Sequence, residues 1–321
     1  MPSGITHIIL SKFVLDRISN KSKNDEKYKN LPPILRRNLG AFILGSVAPD
    51  LPYISLGDGK VADDLHYIKT NEVPQCGFAE AAQLVKDGNT SRAEALFCFS
   101  AGHYSHLVAD GLMHPYVRDK VGDYDVAKKP HRILEMKLDV LIARDHFGVE
   151  VNGTHFQDEL DWIRDSKFKS EIFSSFAGNI SNIYNCAVMP EDVKSWWSAM
   201  QTVFDAVEGE FPKWYRDLIG DHGCAFKNCE DIKGEEVELT TLDLPIDAAT
   251  KGLATNFTGK KEKITIKNVI DKYFNIFPDR VISAYESVFD GQGDVQIPAI
   301  NLDTGRSLDS KQLSDVPVFW R

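Results

Sequence analysis

The sequence has few of the residues that build disulfide frameworks, cysteine-rich zinc modules or membrane spans. It contains five cysteines, Cys76, Cys98, Cys186, Cys224 and Cys229. Their odd number and mostly wide spacing indicate neither a disulfide framework nor a zinc ribbon. No run of about 18 apolar residues occurs, which argues against a transmembrane helix. The N-terminus lacks a basic segment followed by an apolar one, so we see no signal peptide and expect a cytoplasmic protein.

An excess of positive charge is also lacking. Lys and Arg number 37 against 47 Asp and Glu, which gives a formal net charge of −10. An acidic surface repels nucleic-acid phosphates and anionic lipid headgroups at long range, although bound divalent cations can invert the field locally. Charge alone therefore argues against nucleic acid as a partner. Hydrophobic residues make up 43% of the chain, enough to build a sizeable core.

Most of the chain has a helical pattern of apolar residues. We predict helices over residues 5–19, 32–46, 79–86, 92–113, 130–143, 159–184 (with a break), 191–218 and 264–289. Residues 220–263 are expected to be irregular, and the tail from 291 to 321 to be extended. The predicted fold class is therefore all-α, a multi-helix domain with an irregular C-terminal extension. We divide the chain into a metal-binding part, 1–220, and a C-terminal part, 221–321, packed on the same domain.

The strongest functional signal is a row of ligand-type residues in the predicted helix 92–113 and just beyond it. His103, His106, Asp110 and His114 follow one another at steps of three, four and four residues, which places them on one face of a helix. Apolar residues flank this face, and burying an acid and several imidazoles without a partner costs several kcal/mol. The pattern favours a metal site. A buried His–Asp hydrogen-bond network is the alternative.

A second pair of ligand-type residues begins the predicted helix 130–143. His131 and Glu135 are one turn apart, so they present a nitrogen and an oxygen on the same side, as zinc sites require. Such pairs are also common on solvated helix faces. Asp139 extends this face, and we predict that it accepts a hydrogen bond from a metal-binding imidazole.

Three further candidates lie nearer the N-terminus. Asp50 stands between Pro49 and Pro52, in a stiff loop that can aim a carboxylate inward; an ordinary turn residue is the alternative. His66 follows in an acidic stretch and is either a ligand or a surface histidine. His7 lies in the first turn of the first helix, where ligation and plain helix packing are equally reasonable.

In order, these motifs resemble the zinc-dependent phospholipase C family. They are Gly-Ile-Thr-His at 4–7, Leu-Gly-Ser-Val-Ala-Pro-Asp at 44–50, His66, His106-x-x-x-Asp110-x-x-x-His114 and His131-x-x-x-Glu135. The catalytic part of glycosylphosphatidylinositol-specific phospholipase D and the zinc-dependent single-strand nucleases are relatives with a similar ligand order. The resemblance covers about residues 1–140, and its helical fold is the one that these families share.

The resemblance implies two to three zinc ions. One would be held by Asp50, His66, His106 and Asp110, a second by Asp110 and His7, and a third by His114, His131 and Glu135. Family members that lose a signal peptide also use their new N-terminal residue as a ligand; here that would be Pro2 after removal of Met1. His103 is additional to the pattern, and it is expected beside the ligands, facing the substrate, or simply buried.

The resemblance also implies a hydrolase of phosphate esters, namely a phospholipase C-like phosphodiesterase. Hydroxide held on the metal would attack the phosphodiester, and Asp50 is the candidate to orient or deprotonate the water. The expected substrate is a phospholipid or a soluble phosphodiester. A nuclease or nucleotidase on the same fold is one alternative, disfavoured by the acidic charge. A non-catalytic helical metal-binding protein is another.

A lipid substrate raises the question of membrane contact, which is peripheral at most in a chain without a transmembrane segment. Such contact requires an exposed apolar or basic patch. Trp196, Trp197, Phe319 and Trp320 are the candidates for an apolar patch. Packing in the core is the more ordinary role of such aromatic residues.

Overall fold

The structure is a computed structural model. It describes residues 4–22, 25–54, 58–149, 168–208, 236–241, 260–309 and 316–320. Helices dominate this part of the chain, as the sequence predicted, and the all-α fold class is confirmed. In the described ranges the only β-sheet is a ribbon of two strands.

The N-terminal part is a succession of helices joined by tight turns. It consists of α1 (Gly4–Ser22), α2 (Leu31–Arg37), α3 (Leu39–Val47), α4 (Leu51–Ile54) and α5 (Gly59–Tyr67), with 3₁₀ turns at Glu26–Tyr28 and Ala48–Asp50. The single helix predicted over 32–46 is wrong, because Asn38 separates α2 from α3. Its φ of −114° and ψ of 27° lie outside the helical region. The two prolines lie in the first turn of α2, directly after Leu31, where their missing N–H groups cost nothing.

The middle of the chain contains the longest helix. It consists of α6 (Glu72–Lys86), α7 (Thr90–Val121) and α8 (Tyr124–Leu141), which continues into a π-helical turn (Ile142–His146). Helix α7 has 32 residues and runs through Pro115, well past the predicted end at Met113. Helix α8 begins before Pro130, and its backbone is kinked at Ala127, in the turn that Pro130 destabilises. Helix α6 begins at Glu72 rather than at residue 79.

The remaining elements are α9 (Lys169–Tyr184), α10 (Pro190–Glu208), β1 (Glu236–Thr241), β2 (Lys260–Thr265) and α11 (Ile266–Phe289), followed by a 3₁₀ turn (Val318–Trp320). Strands β1 and β2 pair antiparallel, with Glu236 opposite Thr265. This ribbon corrects the prediction that residues 220–263 are irregular; lysines and a glutamate fill most of β2 and hide any alternation. The predicted helical residues 159–167 and 209–218 lie outside the described residues.

Helix α7 passes through the centre of the molecule, and every residue from Ala93 to Val117 is buried. Helix α3 lies against it at backbone contact. A Cβ atom on Gly45 would lie 2.0 Å from the carbonyl oxygen of Phe99, and one on Gly102 would lie 2.0 Å from that of Phe42. Only glycine allows two helices to approach this closely, so these two positions set the distance between α3 and α7.

The aromatic candidates for membrane contact are core residues. Trp196 is 1% exposed, Trp197 5%, Phe319 3% and Trp320 5%. The indole Nε1–H of Trp320 donates to the carbonyl oxygen of Leu112 in α7 at 3.2 Å. These side chains therefore form no surface patch, and packing in the core, the more ordinary of the two roles considered, is the one observed. In the described part of the chain, no helix has both the length and the apolar character that a membrane span requires.

Substituting Gly45 tests the close contact between α3 and α7. Gly45→Ala forces a methyl group against the Phe99 carbonyl, and overpacking of this kind costs about 1–3 kcal/mol. Gly178→Ala in α9 is the matched control, because its Cβ meets nothing within 4 Å and alanine favours a helix by about 0.5–1 kcal/mol. In thermal unfolding we expect a lower Tm for Gly45→Ala and an equal or higher Tm for Gly178→Ala. Equal Tm values for both variants would contradict the contact.

Candidate metal centre

The buried face of α7 carries the central ligand-type residues. His106 and Asp110 are fully buried and His114 is 3% exposed. Their spacing of four residues aligns them along one side of the helix. The other candidates come from separate elements that surround this face: His7 from α1, Asp50 from the 3₁₀ turn Ala48–Asp50, His66 from α5, and His131 and Glu135 from α8. The structure therefore brings all eight predicted ligands to α7.

Five of these residues form what we call the five-residue cluster: His7, Asp50, His66, His106 and Asp110. His106 Nε2 lies 3.1 Å from Asp110 Oδ2 and 3.4 Å from His66 Nε2. His66 Nε2 lies 3.1 Å from Asp50 Oδ1, and His7 Nε2 lies 3.2 Å from Asp110 Oδ1. The two oxygens of Asp110 thus face different histidines, an arrangement that suits a carboxylate between two cations.

The other three residues form the three-residue cluster: His114, His131 and Glu135. One glutamate oxygen, Oε1, lies 3.2 Å from His114 Nε2 and 3.0 Å from His131 Nε2. All three side chains are buried. Helices α7 and α8 therefore present two nitrogens and one oxygen around a common point, with three protein ligands as in many catalytic zinc sites.

Backbone carbonyls fix the orientation of three of the imidazoles. His66 Nδ1 lies 2.7 Å from the carbonyl oxygen of Ala62, and His106 Nδ1 lies 2.9 Å from that of Ser46. His114 Nδ1 lies 2.8 Å from that of Leu302. A carbonyl only accepts, so each Nδ1 carries the proton and donates. Nε2 is then left as the lone-pair nitrogen that a metal can bind.

The two clusters fit divalent zinc. Ligand atoms that lie about 2 Å from a tetrahedral zinc lie about 3.3 Å from one another, close to the separations seen here. In the described ranges, several buried atoms make no hydrogen bond: both ring nitrogens of His7, both carboxylate oxygens of Asp110, Oδ2 of Asp50 and Nε2 of His114. Burial without such partners is costly. In each of three sets, the ligand atoms all lie within 4.8 Å of one another: His7–Asp50–His106, His66–His106–Asp110 and His114–His131–Glu135.

The electrostatics of the five-residue cluster favour a cation. Burial raises the pKa of the Asp110 carboxyl, but His106 and His114 outweigh it and hold that pKa well below its ordinary value. Burial lowers the pKa of His106, but Asp110 and Asp50 outweigh it and raise that pKa to about 9. Positive charge is thus stabilised between these acids, and a bound metal ion would supply it in place of the proton.

The two residues predicted to support the ligands differ in their surroundings. His103 is fully buried, and in the described part of the chain neither of its ring nitrogens makes a hydrogen bond. Burial and the neighbouring His106 and His66 lower its pKa well below the ordinary value, so it is neutral. Its ring meets that of Phe176 edge-on at 6.0 Å. The structure places it outside the three ligand sets.

The sequence predicted that Asp139 accepts a hydrogen bond from a metal-binding imidazole. In the structure Asp139 accepts from Thr6 instead. Its Oδ1 receives the backbone N–H of Thr6 at 3.1 Å and the Thr6 hydroxyl. This contact ties α8 to the turn of α1 that carries His7. The only sequence signal for this hydrogen bond was the presence of Thr6 in the first motif, directly before His7. No sequence signal marks the carbonyls of Ser46 and Leu302, because carbonyl groups are common to every residue.

The fold and the site define a helical protein with buried histidine–carboxylate clusters that could hold metal ions. Residues 6–187 match the sequence model of the family described as zinc dependent phospholipase C. The matched segment contains all eight ligand-type residues and more than half of the chain. The chain belongs to this family, and the resemblance inferred from the motifs is confirmed. No curated protein and no solved structure matches the chain.

Removing one ligand of the three-residue cluster tests the separation of the two clusters. His131→Ala leaves His114 and Glu135 as only two ligands, too few to hold an ion tightly. We expect the zinc content to fall by about one ion per chain, with the five-residue cluster still loaded. Elemental analysis of the purified protein measures this. His146→Ala, a half-buried histidine outside both clusters, should keep the full content, and an unchanged content in His131→Ala would contradict the assignment.

Proposed function

We propose that the protein is a zinc-dependent hydrolase of phosphate esters, and specifically a phosphodiesterase of the phospholipase C type with two to three zinc ions. The convergence of eight buried ligand-type residues on the α7 face carries this proposal. Structural zinc sites are usually closed and rich in cysteine, whereas catalytic sites use histidine and carboxylate with positions left open. Family membership supports the same reaction class.

Bound zinc would supply a Lewis acid for phosphate oxygens and lower the pKa of water to about 7. The protein's own part is to hold the ligands in a dry and rigid site. Asp110 contacts two histidines, because its Oδ1 faces His7 and its Oδ2 faces His106. In our proposal Asp110 would therefore be a ligand shared within the five-residue cluster, and His114, on the next turn of α7, would be a ligand of the three-residue cluster.

Asp50 is the proposed proton acceptor of the reaction. Its Oδ1 contacts His66 Nε2 at 3.1 Å, while its Oδ2 is buried and makes no hydrogen bond with the described residues. Burial raises its pKa, but His106 and His66 outweigh burial and hold the pKa below the ordinary value. The carboxylate is therefore ionised at neutral pH, and Oδ2 is available to orient a water molecule or to receive its proton.

Replacing Asp50 by asparagine tests this role, because the amide keeps the shape of the side chain but cannot take a proton. We expect phosphodiester turnover to fall by about 100-fold or more. Asp87→Asn, at an exposed position after α6, is the matched control and should retain activity. Zinc content is measured in parallel. Full zinc with full turnover in Asp50→Asn would exclude Asp50 as the base.

The substrate class is tested by direct comparison. We expect the zinc-loaded protein to hydrolyse a phosphatidylcholine analogue or a small soluble phosphodiester faster than single-stranded DNA. The reason is the formal net charge of −10, which opposes binding of a polyanion. Asp50→Asn serves as the blank for contaminating activity. Preferential cleavage of DNA would favour a nuclease on the same fold. Bound zinc without turnover of any phosphoester would favour a non-catalytic metal-binding protein.

We further propose that residues 221–321 pack on the metal-binding part, 1–220, as one domain. The hydrogen bonds of Trp320 to Leu112 and of His114 to Leu302 support this arrangement.

A further inference from the structure

One of the three carbonyls that orient the imidazoles comes from the far end of the chain. Ala62 lies four residues before His66 in the same helix, α5, and Ser46 of α3 lies 60 positions before His106. Leu302, by contrast, is 188 positions from His114 along the chain. It also lies beyond residues 6–187, the segment that matches the family. Part of the surroundings of the metal centre is therefore built by a segment that the family match does not include.

Leu302 contacts both clusters through its two peptide groups. Its carbonyl oxygen accepts from His114 Nδ1 at 2.8 Å, and its N–H donates to the carbonyl oxygen of His66 at 2.9 Å. His114 belongs to the three-residue cluster and His66 to the five-residue cluster. Leu302 is fully buried, so water does not compete for these bonds. A single residue of the tail thus connects two ligands on different helices.

The tail is itself fastened on either side of Leu302. The buried hydroxyl of Thr70 donates to the carbonyl oxygen of Ile300 at 2.7 Å and accepts from the N–H of Ile300 at 3.2 Å. On the other side, the carboxylate of Asp303 pairs with Arg118 of α7. These contacts hold the peptide groups of Leu302 at a fixed distance from α5 and α7.

Gly305 places the tail directly on the backbone of α7. Its φ of +66° suits glycine, and a Cβ there would lie 2.4 Å from the carbonyl oxygen of Gly111 and 2.9 Å from Pro115. Pro115 has no N–H, so the Gly111 carbonyl, four residues before it, lacks its usual helical partner. The tail therefore lies on α7 at the one turn, next to His114, where the helix has lost a backbone bond.

We propose that residues 297–305, which we call the C-terminal clamp, are a positioning element of the metal centre. Through Leu302, the clamp keeps the proton of His114 on Nδ1, so that Nε2 faces the metal, and it holds the end of α5 beside His66. This role rests on the zinc centre proposed above. It assigns to the region beyond the family match a direct part in metal affinity.

Substituting Gly305 tests the clamp against a matched control. Gly305→Ala pushes the tail off α7, whereas Gly293→Ala introduces the same kind of backbone strain, at a φ of +87°, with nothing within 4 Å of the new Cβ. The zinc dissociation constant is measured for the whole chain by competition with a chromogenic chelator. Loss of a group that orients a ligand typically weakens metal affinity 10- to 100-fold, so we expect about this effect at one site in Gly305→Ala only.

A second pair of variants tests the clamp in case Gly305→Ala does not fold. Thr70→Val removes the hydroxyl that holds Ile300, whereas Thr70→Ser retains it. We expect weaker zinc binding in Thr70→Val and recovery in Thr70→Ser. Nitrogen-15 NMR of the imidazoles provides a second readout, the exchange rate of the His114 Nδ1 proton compared with that of His106 Nδ1 in the same sample. A general loss of stability speeds both exchange rates, whereas loss of the clamp speeds that of His114 alone. The His114 Nδ1 proton should exchange slowly in the native chain and in Thr70→Ser, and faster in Thr70→Val.

The outcomes separate this inference from the proposed function. If the native chain binds no zinc, the zinc centre fails and the clamp fails with it. If the native chain binds zinc, equal affinities in Gly305→Ala and Gly293→Ala, together with unchanged affinity and exchange in Thr70→Val, overturn the clamp alone. Weakened affinity in folded Gly305→Ala or Thr70→Val, with recovery in Thr70→Ser, supports it.

Discussion

Two acids buried among imidazoles are the constraint on which the rest of this structure depends. Asp50 is 1% exposed and Asp110 is fully buried, and neither has a Lys or Arg partner among the described residues. Ionised carboxylates in an apolar interior are strongly destabilising unless positive charge accompanies them. The surrounding histidines supply that charge only when protonated. Divalent cations satisfy the acids and the neutral imidazoles together, which is why the site makes most sense as a metal centre.

In this fold, the packing of the helices also determines the geometry of the ligands. Gly45 and Gly102 let α3 approach α7 at backbone contact, which brings the Ser46 carbonyl to His106 Nδ1. Helix α3 then ends in the turn that carries Asp50. The close contact therefore orients one imidazole and places one carboxylate. The carbonyl oxygen of Leu302, in the C-terminal clamp, accepts from His114 Nδ1 and so orients a second imidazole.

The sequence predicted much of this site because its signals are local. The spacing of His106, Asp110 and His114 by four residues requires only a helix, and His131 with Glu135 requires one more. Contacts between distant segments have no such signal. The carbonyl of Leu302 and the pairing of Asp139 with Thr6 depend on how the chain returns to α7. Asn38, which separates the two halves of one predicted helix, is a weaker signal than glycine or proline. Its side-chain amide donates to the carbonyl oxygen of Ile34 at 3.0 Å, in the last turn of α2.

The most direct test of the account is to locate the metal ions. Crystals of the zinc-loaded chain, with anomalous data collected on both sides of the zinc absorption edge, give the ion positions independently of the protein coordinates. The account predicts zinc peaks in contact with Nε2 of His66 and His106 and a carboxylate oxygen of Asp110, and a separate peak between His114, His131 and Glu135. Crystals with zinc peaks only elsewhere, and with these side chains pointing apart, would contradict it.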